Sequence, residues 1–180
     1  MTEPATVSPR LTRICAWLCL LAAVGLPALT AGFWLTGAPA HLYAATFGAG
    51  VGGLPPAPSL AQRAMAAAIM LIPVLALSRG LVCARRSLGQ FAGGAFFGAR
   101  AIDGLRGLAC WGFGATLGSV AAPILVGLAL SADNPPGQRV LAVSVSSDQL
   151  LGLLVCGLFW IIAGVMVDAR RLADENRQFV

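Results

Sequence analysis

The chain has 180 residues, of which 58% are apolar and only 11% are charged. With a mean hydropathy of +0.83 it lies outside the range of soluble domains, so residues 1–180 are predicted to form a single integral membrane domain. The net charge of +5 comes from twelve arginines and no lysine, against seven acids. Because the arginines cluster beside apolar runs, we expect lipid headgroups as their partner and no direct contact with nucleic acid.

Four apolar runs are long enough to cross a bilayer, for which a helix needs roughly 20 residues. They cover about residues 14–36, 60–82, 108–130 and 150–167. In the first run, Trp17 and Trp34 are expected to mark the two membrane interfaces. The alternative for this run, a cleaved signal peptide, is disfavoured because the apolar part of a signal peptide has roughly 7–15 residues. The fold class predicted is all-α, an integral membrane four-helix bundle.

The segments between the first and second runs and between the third and fourth are rich in Gly and Pro and are predicted to be outer loops. His41, the single histidine, lies in the first of them without a Cys, Asp or Glu neighbour. It therefore does not indicate a metal site.

The stretch from Arg79 to Arg106, which links the second and third runs, collects Arg79, Arg85, Arg86, Arg100 and Arg106 around a single acid, Asp103. Arginine accumulates on the cytoplasmic side of a membrane, so both termini and this segment are predicted to be cytoplasmic. The apolar residues here follow a near-helical spacing that glycines interrupt. This pattern predicts two short interfacial helices hinged near Gly93, the second leading into the third span.

Arg79 lies inside the apolar end of the second run. We expect its side chain to snorkel towards the headgroups, since a long cationic side chain near a helix end can reach them. The alternative is an internal ion or substrate site, which would need a buried acidic partner.

Small residues recur every four positions in the third run and predict close helix packing within the protein. They are Cys110, Gly114, Gly118 and Ala122. Dimerisation through the face that carries Gly114 and Gly118 is the alternative.

The sequence offers no catalytic constellation, no cofactor motif and no metal-ligand spacing. The five cysteines form no C-x-x-C pair and indicate neither a disulfide framework nor zinc. We therefore expect a non-enzymatic protein. A transporter or channel component is the alternative, although the polar groups inside the spans amount to Thr30, Thr116 and Ser119 together with residues at the edges.

After the fourth run the chain turns charged, and Arg170 with Asp174 and Arg171 with Glu175 are spaced to pair across one helical turn. This tail reads from Ala169 to Val180. The central segment carries Gly94, Phe97, Leu105 and Arg106 with the spacing G-x-x-F-x7-L-R.

Both patterns resemble the bacterial membrane-protein family catalogued as domain of unknown function 2975. The resemblance implies four membrane helices in the bacterial cytoplasmic membrane and no assigned catalysis. It also implies a small cytoplasmic helix-turn-helix regulator as partner. The face predicted to dock this partner or to sense the bilayer consists of Phe97, Arg100, Arg106, Arg171, Glu175, Asn176 and Phe179. The alternative is that these arginines only fix the topology and that Phe179 only caps a helix end.

Overall fold

The computed structural model describes residues 9–47, 57–92, 98–130 and 146–177. The regular structure in these ranges is helical: α1 Pro9–Thr36, α2 Pro39–Phe47, α3 Leu60–Ala92, α4 Ala99–Leu130 and α5 Ser147–Arg177. The four longer helices are long and apolar enough to cross a membrane. The prediction of an all-α fold with four apolar, membrane-length helices is confirmed.

The long helices pack against one another in chain order. α3 makes its most extensive contact with α4, α1 lies against α3, and α5 lies against α4. Between the described parts of α1 and α5 there is no comparable contact. The structure therefore has a central pair, α3 and α4, and two outer helices. Of these, α1 packs mainly against α3 and α5 packs mainly against α4.

Neighbouring long helices run antiparallel. On the α3–α4 seam, Ser87 bonds to Ala101 near one end, while Gly118 lies against Pro73 further along. On the α4–α5 seam, the Gln149 side chain reaches the Ser119 carbonyl oxygen. The beginnings of α1 and α4 and the ends of α3 and α5 therefore lie on one side of the molecule, which we call the arginine-rich end.

The opposite end is closed by α2, a short helix in a segment for which only a loop was predicted. Leu42 and Tyr43 of α2 are buried in a cluster with Trp34 of α1 and with residues from the start of α3 and the end of α4. Trp34 is only 4% exposed and Trp17 is 57% exposed. The expectation that Trp34 is an interfacial anchor is wrong, because α2 folds over its indole ring.

At this closed end, Arg63 of α3 connects the start of α3 to the end of α1. Its guanidinium group donates hydrogen bonds to the carbonyl oxygens of Leu35 at 3.3 Å, Gly37 at 3.0 Å and Pro58 at 3.3 Å. The last carbonyl groups of a helix have no partner within it and carry partial negative charge, so Arg63 caps the end of α1. Burial raises the pKa of the Tyr43 phenol, and the nearby charge of Arg63 partly offsets that rise.

Large apolar side chains cover the outer surfaces of α1 and α5. In α5 they are more than half exposed at Leu150, Leu154, Leu158, Ile161 and Val165. A continuous apolar face of this size would be costly in water, whereas hydrocarbon chains solvate it without cost. The exposed surface thus agrees with a multi-pass membrane protein.

Of the two short interfacial helices predicted between the second and third spans, the first is not a separate helix, whereas the second leads into the third span as expected. α3 continues without a break to Ala92, and α4 is already helical at Ala99. The contact between the two helices reaches Ser87 and Ala101 and supports the helical form there, although Gly89 carries an intrinsic cost. The proposed hinge at Gly93 lies outside the described residues.

Candidate functional site: the arginine-rich end

The α3 and α4 helices approach closely at the arginine-rich end. The Ser87 hydroxyl group donates a 2.8 Å hydrogen bond to the carbonyl oxygen of Ala101, and Ser87 is only 2% exposed. A side-chain hydrogen bond between helices in an apolar setting satisfies a group that would otherwise be costly to bury. This bond fixes the register of the two helices where the chain turns back.

Two glycines of α4 make that approach possible. A Cβ atom added at Gly104 would collide with the Ser87 hydroxyl oxygen and would come within 2.7 Å of the Cys83 carbonyl oxygen. One added at Gly107 would come within 2.9 Å of the Cys83 sulfur. Glycine is therefore required at Gly104, because one of the atoms that a Cβ would meet is a backbone carbonyl oxygen, which cannot move aside as a flexible side chain can.

An open cavity of about 540 Å³ lies beside this contact, between α3 and α4. Its lining combines polar and charged side chains from both helices: Cys83, Arg86 and Gln90 from α3, and Arg100, Asp103 and Gly104 from α4. We call it the α3–α4 cavity. Residues three or four positions apart share a helix face, so the spacing of each set brings its side chains to one place.

The charged groups of the α3–α4 cavity are not paired with one another. In the part of the chain that the structure describes, neither Arg86 nor Arg100 forms an ion pair with Asp103. All three side chains are exposed. The cavity therefore presents two guanidinium groups and one carboxylate to whatever enters it.

The tail forms one of the two ion pairs predicted for it. Arg171 and Glu175 are joined at 3.0 Å between Nε and Oε1, which confirms that pair. The side chain of Asp174, and hence its predicted pair with Arg170, lies outside the described residues. The pair holds the Arg171 guanidinium over the last turns of α5.

The predicted docking residues are only partly described. Arg100, Arg106, Arg171 and Glu175 are exposed at the arginine-rich end. Phe97, Phe179 and the Asn176 side chain lie outside the described residues. The structure adds Arg86, Gln90 and Asp103, which share the α3–α4 cavity with Arg100. Their spacing along the sequence could have indicated one polar face on α3 and one on α4. Only the observed packing of α3 against α4 shows that these two faces meet.

Arg79 lies on the exposed side of α3. In the described ranges it pairs with no acidic side chain. This placement favours a snorkelling side chain and gives no support to an internal ion site.

The four small residues proposed for helix packing divide into two pairs. A Cβ at Gly118 would lie 3.0 Å from the Pro73 side chain, and Ala122 is buried. Cys110 and Gly114 are exposed, and a Cβ at Gly114 would meet nothing within 4 Å. Close approach to α3 involves the predicted Gly118 together with Gly104 and Gly107, which take the place of Cys110 and Gly114. In the first half of α4 the seam therefore follows a different register from the predicted one.

Two further cavities lie between the spans. One, of about 370 Å³, brings together Thr30, Thr116 and Ser119 beside Pro73. The other, of about 450 Å³, is almost entirely apolar and lies between α4 and α5 beside Cys110, Cys156 and Trp160. Among the described residues, no group of three His, Cys, Asp or Glu side chains could hold a metal ion.

A scan against protein-family models matches no family, and no curated protein or solved structure shows significant similarity to the chain. The family resemblance carried by the central segment and the tail therefore stays a prediction.

Proposed function

We propose that the chain is a non-enzymatic, multi-pass protein of the bacterial cytoplasmic membrane whose arginine-rich end docks a cytoplasmic protein. The observation that carries this proposal is the distribution of arginine. Arg63 is the one described arginine at the other end, and Arg79 lies near the middle of α3. Nine arginines belong to the helix end segments on the arginine-rich side: Arg10, Arg13, Arg85, Arg86, Arg100, Arg106, Arg170, Arg171 and Arg177. An arginine bias of this kind sets orientation, so this end is proposed to be cytoplasmic with both termini on that side.

Helix length supports a docking role beyond orientation alone. α3 has 33 residues and α5 has 31, and helices of that length extend about 45–50 Å, compared with roughly 30 Å for the hydrocarbon core. The ends of α3 and α5 would each project by several turns, and the Arg171–Glu175 pair lies in the last turns of α5. Rigid projecting helices with a net positive charge favour a partner whose surface is acidic.

The partner class follows from the family resemblance alone and is a small cytoplasmic helix-turn-helix regulator. In this arrangement the membrane protein binds the regulator and makes no contact with nucleic acid. A homodimer through the exposed Gly114 is the alternative assembly, since the Gly114 face has room for a second helix.

Docking is tested by co-purification with any small helix-turn-helix regulator that the neighbouring genes encode. Arg106→Glu, Arg171→Glu, Glu175→Ala and Phe179→Ala should each reduce recovery of the regulator, and higher salt should weaken it. Arg10→Glu is the matched control for the arginine variants, because Arg10 is an exposed arginine at the same end but outside the docking face. Asp168→Ala is the control for Glu175→Ala. Recovery that none of the four docking variants reduces would remove the proposal.

Orientation has its own test. Cytoplasmic and extracytoplasmic reporter fusions at the Gly94 region and after Val180 should both report a cytoplasmic location. An external location at either site would contradict the topology, whatever the docking result.

A second candidate function, a small-solute transporter or channel component, is favoured by the cavity beside Pro73. It gathers the hydroxyl groups of Thr30, Thr116 and Ser119. These hydroxyl groups donate to carbonyl oxygens of their own helices, so they are free only to accept hydrogen bonds from a solute. Solute flux in proteoliposomes that Thr116→Val reduces and Thr36→Val leaves unchanged would favour this function over docking.

A further inference from the structure

The α3–α4 cavity has the chemistry of an anion site. Arg86 reaches it from α3 and Arg100 from α4, and neither is held by Asp103. Guanidinium groups bind phosphate oxygens through paired, charge-assisted hydrogen bonds. Two arginines on separate helices can therefore hold one phosphate group from two sides.

The position of the cavity relative to the apolar runs indicates where that phosphate comes from. Arg86 and Gln90 follow the end of the second run, at Val82, by four and eight residues, which corresponds to about 6 and 12 Å along the helix. The headgroup layer on each side of a bilayer is roughly 5–8 Å thick. An arginine side chain at that distance can reach back into this layer, where lipid phosphates lie.

The remaining polar groups suit the rest of a headgroup. The Asp103 carboxylate can only accept hydrogen bonds, and the Gln90 amide can both donate and accept them. A bare phosphate would gain nothing from the Asp103 carboxylate and would be repelled by it. A phosphodiester that carries a hydroxyl group beyond the phosphorus can donate to Asp103 while the arginines hold its phosphate.

We propose that the α3–α4 cavity binds the headgroup of an anionic phospholipid, with Arg86 and Arg100 on the phosphate and Asp103 on a headgroup hydroxyl group. This inference rests on the orientation given under the proposed function, but it requires no protein partner. The bound lipid would bridge α3 and α4 at the point where Ser87 and Gly104 already bring them together.

The site is tested with the full-length protein in nanodiscs and in detergent. Binding of phosphatidylglycerol is measured by native mass spectrometry and by the shift in thermal unfolding, with phosphatidylcholine as the neutral lipid. Wild type should retain phosphatidylglycerol in preference to phosphatidylcholine, and the double variant Arg86→Gln/Arg100→Gln should bind it about tenfold more weakly or worse. The matched control is Arg85→Gln/Arg106→Gln, which removes the same charge from exposed positions on the same two helices outside the cavity.

Three results would overturn the inference. Equal loss of binding in the two double variants would mean that overall charge, and not the cavity, attracts the lipid. Stabilisation by inorganic phosphate or glycerol phosphate equal to that by phosphatidylglycerol would identify a soluble anion as the ligand. Unchanged or tighter binding of phosphatidylglycerol in Asp103→Ala would mean that the carboxylate makes no favourable headgroup contact. Loss of co-purified regulator in the docking variants affects none of these measurements, so the two proposals fail separately.

Discussion

The Ser87 hydroxyl group of α3 donates a hydrogen bond to the Ala101 carbonyl oxygen of α4, directly beside Gly104. This contact joins the two helices that carry most of the packing and lies beside the cavity that holds Arg86 and Arg100. Any change that separates the helices here also separates the two arginines.

Gly104→Ala should lower the free energy of unfolding by about 1–3 kcal/mol, the usual cost of inserting a methyl group into a tight contact. The new Cβ atom would meet the Ser87 hydroxyl oxygen and the Cys83 backbone. Gly114→Ala on the same helix is the control and should raise stability by about 0.5–1 kcal/mol, because its Cβ atom meets nothing and a flexible residue is lost. Thermal unfolding in one detergent compares them, and equal effects would contradict the seam described.

Ser87→Ala should cost about 0.5–1.5 kcal/mol for the lost hydrogen bond. Because the Ser87 hydroxyl oxygen is one of the atoms that obstructs a methyl group at Gly104, Gly104→Ala should be less harmful in the Ser87→Ala background. A double-mutant cycle should therefore show a coupling above about 0.5 kcal/mol. Simple additivity of the two substitutions would mean that the residues do not touch.

Arg63→Ala should destabilise the end closed by α2 by about 1–3 kcal/mol, since three carbonyl oxygens would lose a charged donor. Hydrogen exchange should speed up first in α2 and in the last turn of α1. Arg79→Ala is the matched control on the same helix. Its side chain is exposed and should change stability by no more than about 0.5 kcal/mol, whereas a large effect there would revive an internal site at Arg79.

Stability should fall at alkaline pH through Tyr43. Burial raises the pKa of this phenol in the folded protein above its ordinary value of 10.0. The neutral form is therefore favoured by folding, and its contribution is complete below the unfolded pKa and is lost as pH rises through the folded one. Tyr43→Phe should show a shallower loss of stability above about pH 10, and an unchanged slope would assign the alkaline sensitivity to another group.

The four long helices could be predicted from the sequence because each rests on a single strong signal, an apolar run of the length that a bilayer requires. The helix faces that pack against one another could not be predicted from the sequence. In a soluble helix the apolar stripe marks the buried side, but here the exposed Leu154 and the buried Val126 are equally apolar. The spacing of Cys110 and Gly114 therefore matched a packing motif although the seam lies along Gly104 and Gly107.

The helix α2 was missed for a related reason. It has only nine residues and stands among glycines and prolines, so that local signals favour a loop. Pro39 at its first position and the positions of Leu42 and Thr46 on one face were available as weak evidence. α2 is stabilised by packing over Trp34. This packing requires the ends of three other helices, so it cannot be recognised from the α2 segment alone.

The chain-order packing of the helices has a mechanical consequence. When α5 is pulled from its carboxyl-terminal end, it has to separate only from α4. In contrast, α1 is also held by the hydrogen bonds of Arg63 and by the packing of α2 over Trp34. Force applied through the carboxyl terminus should extract α5 in an early, low-force step. The central pair should then come out later, together, as a single larger event.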